Sequence, residues 1–280
     1  MSECASKGSC GKSSCEGCPS AAGNQTKTDF LVSINGKSSV KQVIGVVSGK
    51  GGVGKSSVTS LLASAIAKTG RTVGIMDADI TGPSIPKMFG AKGPTLANED
   101  GEMLAAEAKN GVRIMSMNLL LDEEDTPVIW RGPVVAGVVK QFWTDTVWGD
   151  LDVMLVDMPP GTGDVPLTVF QSLPLAGIIM VTSPQDLVSM IVKKAMVMAD
   201  KMDVPVIGVV ENYSYFKCPD CGKEHKIFGE SNIAEVADDM GTKLLAQLPI
   251  NPEIAKLADE GRIYEADIPE LEDAVRAILL

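Results

Sequence analysis

Gly49-Lys50-Gly51-Gly52-Val53-Gly54-Lys55-Ser56 fits the pattern GxxxxGK[ST] in full, and the chain on either side fits as well. Ahead of it, Val43 to Val47 is a short β-branched run of the kind that forms a strand buried on both faces. Behind it, Val58, Leu61, Leu62, Ala65 and Ile66 recur on one helical stripe, and Gly70 supplies a stop. Strand, glycine loop and helix in that order predict a phosphate cradle. The glycines let successive backbone N–H groups turn inward, and the helix N-terminus adds its positive dipole. In such a cradle Lys55 reaches the outer phosphates and the Ser56 hydroxyl ligates Mg²⁺. Gly49, Lys50, Gly51, Gly52, Val53, Gly54 and Ser57 complete the nucleotide-binding stretch. A Gly-rich turn with no ligand is the bland alternative, and the full match in the right context sets it aside.

Working outward, apolar runs recur at Val73 to Met76, Val112 to Met117, Val153 to Val156, Gly177 to Val181 and Val206 to Val210, with helical patterns between them. That alternation predicts right-handed crossovers and an α/β fold with a doubly wound, mostly parallel sheet, its ligands at the carboxyl ends of the strands. A last helix is expected from Pro269 to Leu280, burying Leu271, Val275, Ile278 and Leu279. Residues 1–41 are rich in Ser, Gly, Lys and Cys and lack periodicity, so they read as a Cys-rich tail ahead of a domain at 42–280.

Composition excludes several classes. With 36 acidic against 25 basic residues the chain carries a formal charge of -11, which disfavours nucleic acid and anionic lipid as partners. The acidic face of the last helix is the wrong sign for a membrane surface. No apolar stretch approaches the ~20 residues of a membrane span, and the N-terminus does not read as an export signal. The expectation is a cytoplasmic protein, in which six cysteines favour metal ligation over disulfides.

Two further stretches belong to the same phosphate chemistry. Asp77-Ala78-Asp79-Ile80-Thr81-Gly82-Pro83-Ser84 follows the second strand, and Asp79 is the candidate for positioning the water that attacks the γ-phosphate. Val153 to Val156 ends in Asp157, an apolar strand followed by the carboxylate needed to hold hydrated Mg²⁺. Met158-Pro159-Pro160-Gly161-Thr162-Gly163-Asp164 continues as a turn suited to sensing the γ-phosphate.

Lys50 within KGGVGKS resembles the signature of the deviant Walker ATPases, the MinD, ParA and nitrogenase-reductase-like proteins. That resemblance implies a homodimer in which Lys50 reaches the partner's nucleotide, a cation supplied in trans like an arginine finger. Within that class DADITGPS, WRGP at Trp130 to Pro133, DMPPGTGD and ENYSYFKCPDC at Glu211 to Cys221 are similar to the Mrp/Nbp-type iron-sulfur cluster carriers, over about Val43 to Pro252. The resemblance implies that Asn212 recognises adenine, as an amide that donates and accepts on one base edge is able to do, and that Pro249 lies beside the base. Read without it, Asn212 is equally a turn cap.

Cys218-Pro219-Asp220-Cys221 puts two thiols on one turn, a spacing that serves zinc, an iron-sulfur cluster or a redox disulfide. One pair is half a site, and a symmetric dimer supplies the other half, giving four thiolates for a bridging [4Fe-4S] cluster. The resemblance assigns the pair that work. His225, the single histidine, is a weaker third ligand for an intrachain zinc site. In the tail, Cys4, Cys10, Cys15 and Cys18 follow the spacing C-x5-C-x4-C-x2-C, enough thiolates for a second, N-terminal [4Fe-4S] cluster. Family members with an N-terminal cluster place the CxxC pair after a long gap and before a last cysteine, whereas here it comes last. The competing arrangement joins Cys15 and Cys18 to Cys218 and Cys221 in one zinc site.

Three functions compete on these residues. The first is an ATP-hydrolysing scaffold that builds a labile [4Fe-4S] cluster between its subunits and passes it to apo iron-sulfur proteins, with ATP and Mg²⁺ as a slow switch. The second is a MinD/ParA-like positioning ATPase, which lacks its basic face and leaves the cysteines unused. The third is an ATP-gated electron donor resembling nitrogenase reductase, a type that takes its two cysteines from separate elements.

Overall fold

The computed structural model of the protein describes residues 30–80, 82–91, 101–121, 132–184 and 187–280. In chain order its elements are β1 (Ser39–Ser48), α1 (Lys55–Lys68), β2 (Val73–Asp77), α2 (Ile85–Phe89), β3 (Met103–Leu104), β4 (Ala106–Glu107), β5 (Arg113–Met115), α3 (Gly132–Thr144), β6 (Thr146–Val147), β7 (Asp150–Asp157), α4 (Asp164–Ser172), β8 (Leu175–Thr182), α5 (Leu187–Lys201), β9 (Val206–Lys217), β10 (Glu224–His225), α6 (Ile233–Asp239), β11 (Leu244–Pro249), α7 (Pro252–Asp259) and α8 (Glu272–Leu279).

Among the described residues the main sheet has nine strands, in the order β10-β9-β8-β1-β7-β2-β5-β4, with β11 also paired to β9. Every pairing in it is parallel except those of β4 and β10. The glycine-loop strand β1 is therefore central, with β7 on one side and β8 on the other. This is the doubly wound, mostly parallel sheet that the apolar runs predict, and all six expected strands are present. β11 was not among them. Met154 and Val156 of β7 enter the core on one sheet face, with α3, α4 and α5, whereas Val153 and Leu155 enter the other, with α1, α2 and α8. A strand buried on both faces has no polar alternation, which is why these runs were readable.

α1 is buried beyond its apolar stripe. Thr59, Ser60 and Ser64 are also buried; the Thr59 hydroxyl donates to Asp157, and those of Ser60 and Ser64 donate to the carbonyl four residues earlier, so the helix accepts cover from α2 and α8 without losing a hydrogen bond. Two boundaries differ from expectation. The folded unit takes in residues ahead of 42: β1 opens at Ser39, Val32 N–H donates to Ser172 O and the Trp143 indole donates to Val32 O, with Val32 and Ile34 packed on the core. The last helix divides into a 3-10 turn at Pro269–Leu271 and then α8, with Leu279 only half buried. Among the described residues no helix is long and apolar enough to cross a membrane.

Candidate functional site

At the carboxyl end of β1 the chain passes Gly49 and turns through Lys50 to Gly54 into the first turn of α1. Gly54 is left-handed at φ 77, and a Cβ there would lie 2.3 Å from Asn212 Nδ2, so glycine is required on both counts. Lys50, Gly51, Gly52, Val53, Gly54, Lys55, Ser56 and Ser57 line one cleft of about 230 Å³, together with Asp79 and Pro160. The sequence-expected phosphate residues are thereby brought together, Gly49 lying just behind them.

Beneath the cleft the ends of β2 and β7 lie side by side, Asp77 opposite Asp157, and both carboxylates are fully buried. Asp157 accepts from the Ser56 hydroxyl at 2.5 Å and from Thr59 Oγ1 at 2.8 Å, and pairs with Lys55 Nζ at 2.8 Å. Lys55 is itself only 6% exposed and stands 4.0 Å from Asp79. One ammonium between buried carboxylates cannot balance them all. Burial, and then the charge of Asp157, push Asp77 up to about 7, against the opposing pull of Lys55 and of the Ser116 hydroxyl 3.0 Å away. A serine hydroxyl and a carboxylate converging below a phosphate loop are the hard oxygen donors that Mg²⁺ takes. The turn after Asp157 is tied back to β1: Met158 N–H donates to Val46 O and Gly161 N–H to Ser48 O.

A second cavity, of about 90 Å³, adjoins the cleft, with Ser57 as the shared wall and Asn212, Tyr213, Leu248, Pro249 and Ile254 around it. Asn212 and Pro249, far apart in sequence, thus meet in one small, mostly apolar space beside the loop. The Asn212 amide donates to Val53 O at 2.9 Å, so it braces the loop and does not cap a turn.

The cysteine pair is not part of this cleft. β9 runs on past Val210 to Lys217, and Cys218 and Cys221 sit on the turn that joins it to β10, both as free thiols. Cys218 is half buried, and residues 219–230 are all exposed. Backbone N–H groups of Cys221 and Asp220, with the Cys221 thiol, hydrogen-bond the Cys218 sulfur and hold its pKa below the ordinary thiol value. His225 is exposed and pairs with Phe216 in the hairpin, and among the described residues no three His, Cys, Asp or Glu gather as a metal site. Cys4, Cys10, Cys15, Cys18, Trp130, Arg131 and Thr81 lie outside the described residues.

Sequence reading missed Thr59, although its place three residues after Ser56 puts it on the same helix face. It also missed a role for Glu211, a buried carboxylate in β9 that accepts from Ser214 Oγ and Gln247 Nε2 and from the Ser231 hydroxyl. No local pattern marks it, because two of those donors come from remote segments.

The central parallel sheet, the glycine loop at its carboxyl edge and the two strand-end carboxylates define a P-loop nucleotide-binding protein. The ParA model, described as the NUBPL iron-transfer P-loop NTPase, matches residues 39–279, and the chain belongs to that family. An iron-sulfur cluster carrier protein of Clostridium perfringens is 45% identical over 270 residues, which cover 94% of this chain and 92% of that one. A nucleotide-binding protein from Archaeoglobus fulgidus, solved in complex with ADP, matches with TM-score 0.75 and 40% identity over 83% of this chain and 91% of its own. The cell division ATPase MinD of Pyrococcus furiosus, at TM-score 0.59 and 22% identity over 85% of this chain and 95% of its own, shares the fold.

Proposed function

We propose that the protein is an ATP-dependent iron-sulfur cluster carrier that works as a homodimer. The observation that carries this reading is the presence in one chain of a formed phosphate-loop cleft and, on a separate exposed turn, two free thiols with N–H groups aimed at one sulfur. ATP binds with its phosphates in the cleft and its adenine against Asn212 and Pro249. Lys55 leaves Asp157 for the outer phosphates, a swing of one flexible side chain. Ser56 and, through water, Asp157 would hold Mg²⁺, which would neutralise phosphate charge there. Asp79 orients a water toward the γ-phosphorus; the new P–O bond forms as the bond to the bridging oxygen breaks, leaving ADP and phosphate. Lys50 of the opposite subunit stabilises the charge on the transferring group, which couples dimer geometry to nucleotide state.

The cargo is a [4Fe-4S] cluster on Cys218 and Cys221 of both subunits. Delivery is ligand exchange: thiolates of an apo iron-sulfur protein replace these four on iron, and no electron changes hands. Exposure of the turn suits a site that must be reached by recipients, and the carrier relative and the iron-transfer family support the assignment. The N-terminal Cys4, Cys10, Cys15 and Cys18 provide for a second cluster.

The test is transfer from the anaerobically loaded dimer to an apo-acceptor whose enzyme activity needs the cluster. The double variant Cys218→Ser, Cys221→Ser is expected to lose transfer while still binding Mg-ATP with the affinity of cluster-free wild type. Transfer that survives this change contradicts the reading.

A further inference from the structure

β9 is not a plain strand. It enters the sheet apolar, then buries Glu211, Asn212 and Ser214 in succession, at 1%, 6% and 5% exposure. Burying such groups is costly unless each is hydrogen-bonded, and here each is. The partners connect two places that are far apart in function. Asn212 donates to Val53 O of the phosphate loop. A Cβ on Gly54 would meet the Asn212 amide at 2.3 Å and the Tyr213 hydroxyl at 2.7 Å. Consecutive strand residues ordinarily face opposite ways. Both face the loop here because Tyr213 is left-handed, at φ 61, a conformation that non-glycine residues rarely adopt. The same distortion shows in the pairing: between the pairs Gln247↔Glu211 and Pro249↔Tyr215, β11 advances two residues (249 − 247) and β9 four (215 − 211). β9 bulges where it touches the loop.

The far side of the bulge leads directly to Cys218, six residues beyond Asn212 (218 − 212). The exposed segment 219–230 returns at Ser231, whose hydroxyl donates to the buried Glu211 carboxylate. Both ends of the cysteine hairpin are therefore fastened at adjacent residues, 211 and 212, and the second of these grips the phosphate loop.

We propose that this bulge couples the two sites: nucleotide in the phosphate loop changes the hold of the hairpin on its cluster, with Glu211 and Ser231 as positioning residues. The proposal rests on the carrier reading for its cargo, and its physical basis is a continuous path through one distorted strand: the Ser231–Glu211 hydrogen bond, the backbone from 211 to 212, and the buried Asn212–Val53 hydrogen bond. Coupling of this kind is reciprocal, so cluster loading changes nucleotide affinity by the same factor.

Ser231→Ala in the full-length protein tests it, since Ser231 contacts neither the thiols nor the nucleotide cleft. Its hydroxyl also accepts from Ile233 N–H at the start of α6 at 3.2 Å, so Ser231→Thr, which keeps both bonds, is the rescue. The first readout is amide hydrogen exchange over 214–231 in iron-free protein, with and without Mg-ATP. The second is iron loss to a chelator from loaded dimer, again with and without Mg-ATP. In the wild type and in Ser231→Thr the nucleotide is expected to change both rates by about five-fold or more. In Ser231→Ala, and in Glu211→Gln, that ratio is expected to fall to about one with the Mg-ATP affinity of the iron-free protein preserved. A merely structural loss would lower the melting temperature and leave the ratio intact, and that result overturns the proposal, as does a wild type whose exchange ignores the nucleotide. The exchange readout needs no iron, so a protein that bound none would sink the carrier reading and still leave the coupling decided.

Discussion

The two functional ends of this molecule are built in opposite ways. At the carboxyl ends of β1, β2 and β7 the charged groups are buried and cross-linked: Asp77 and Asp157 are fully enclosed, Lys55 nearly so, and Asp157 alone engages Ser56, Thr59 and Lys55. At the end of β9 the thiols stand on a turn whose next twelve residues, 219–230, are all exposed. Phosphoryl transfer gains from charges held rigid and away from water, where electrostatic contributions are strong. A cargo site needs the reverse, because its ligands must be met by those of a recipient. The difference implies that substitutions at the first end will cost both stability and turnover, and that substitutions at the second will cost function alone.

Lys55→Ala is expected to show the largest effect. It removes the cation on the outer phosphates and leaves two buried carboxylates without their ammonium, so ATP turnover should fall to background and stability by about 3 kcal/mol. Phosphate release and thermal melting check both parts. If turnover vanished with stability unchanged, the burial at this end would not be what holds Lys55 in place.

Asp79→Ala is expected to retain ATP and lose about 10²- to 10⁴-fold in hydrolysis, since the change falls on water positioning. It also sharpens the dimer reading. In a heterodimer of Lys50→Ala with Asp79→Ala, one of the two sites keeps its own Asp79 and the partner's Lys50. An equal mixture of the two variants should then recover about a quarter of wild-type turnover, half the dimers being mixed and each carrying one intact site. Recovery no greater than the average of the two inactive parents, with mixed dimers shown by mass, contradicts a shared site.

The smallest effect belongs at the opposite edge of the sheet and serves as the control for both ends. Asp152, near the start of β7, accepts from Lys41 Nζ, Thr72 N–H and Thr72 Oγ1. The Lys41 bond first, and then the Thr72 backbone bond, lower its pKa to about 2. The folded value lies below the unfolded one, so this contribution is present above pH 4 and is lost as pH falls toward 2. Asp152→Asn is expected to melt slightly below wild type at neutral pH, with the difference closing over that window and with ATP turnover unchanged. A difference that widened on acidification would reverse the assigned sign.

Much of the first end was legible in the sequence and much of the second was not, for a physical reason. The loop, Lys55, Ser56, Asp79 and Asp157 follow local patterns, and strands buried on both faces read as unbroken apolar runs. β9 defeated that reading at Glu211, where buried polar residues end the run although the strand continues to Lys217. Those side chains are satisfied by Ser231, Gln247 and Val53, none of them local in sequence to residues 211 and 212. β11 was missed because it sits outside β9 with its residues alternating in burial and carries a polar Gln247 that is used only by the neighbouring strand. The two cysteines were legible as a pair; their place on an exposed turn, joined to the nucleotide loop by one bulged strand, was not.

The most direct test of the account counts metal. A chain lacking Met1 to Ala22, purified anaerobically, keeps Cys218 and Cys221 as its only cysteines. A cluster shared across the twofold axis then requires about two irons and two sulfides per chain, in a dimer whose iron and dimerisation are lost together on chelation. Iron at about four per chain in a monomer, or zinc in place of iron, would contradict it.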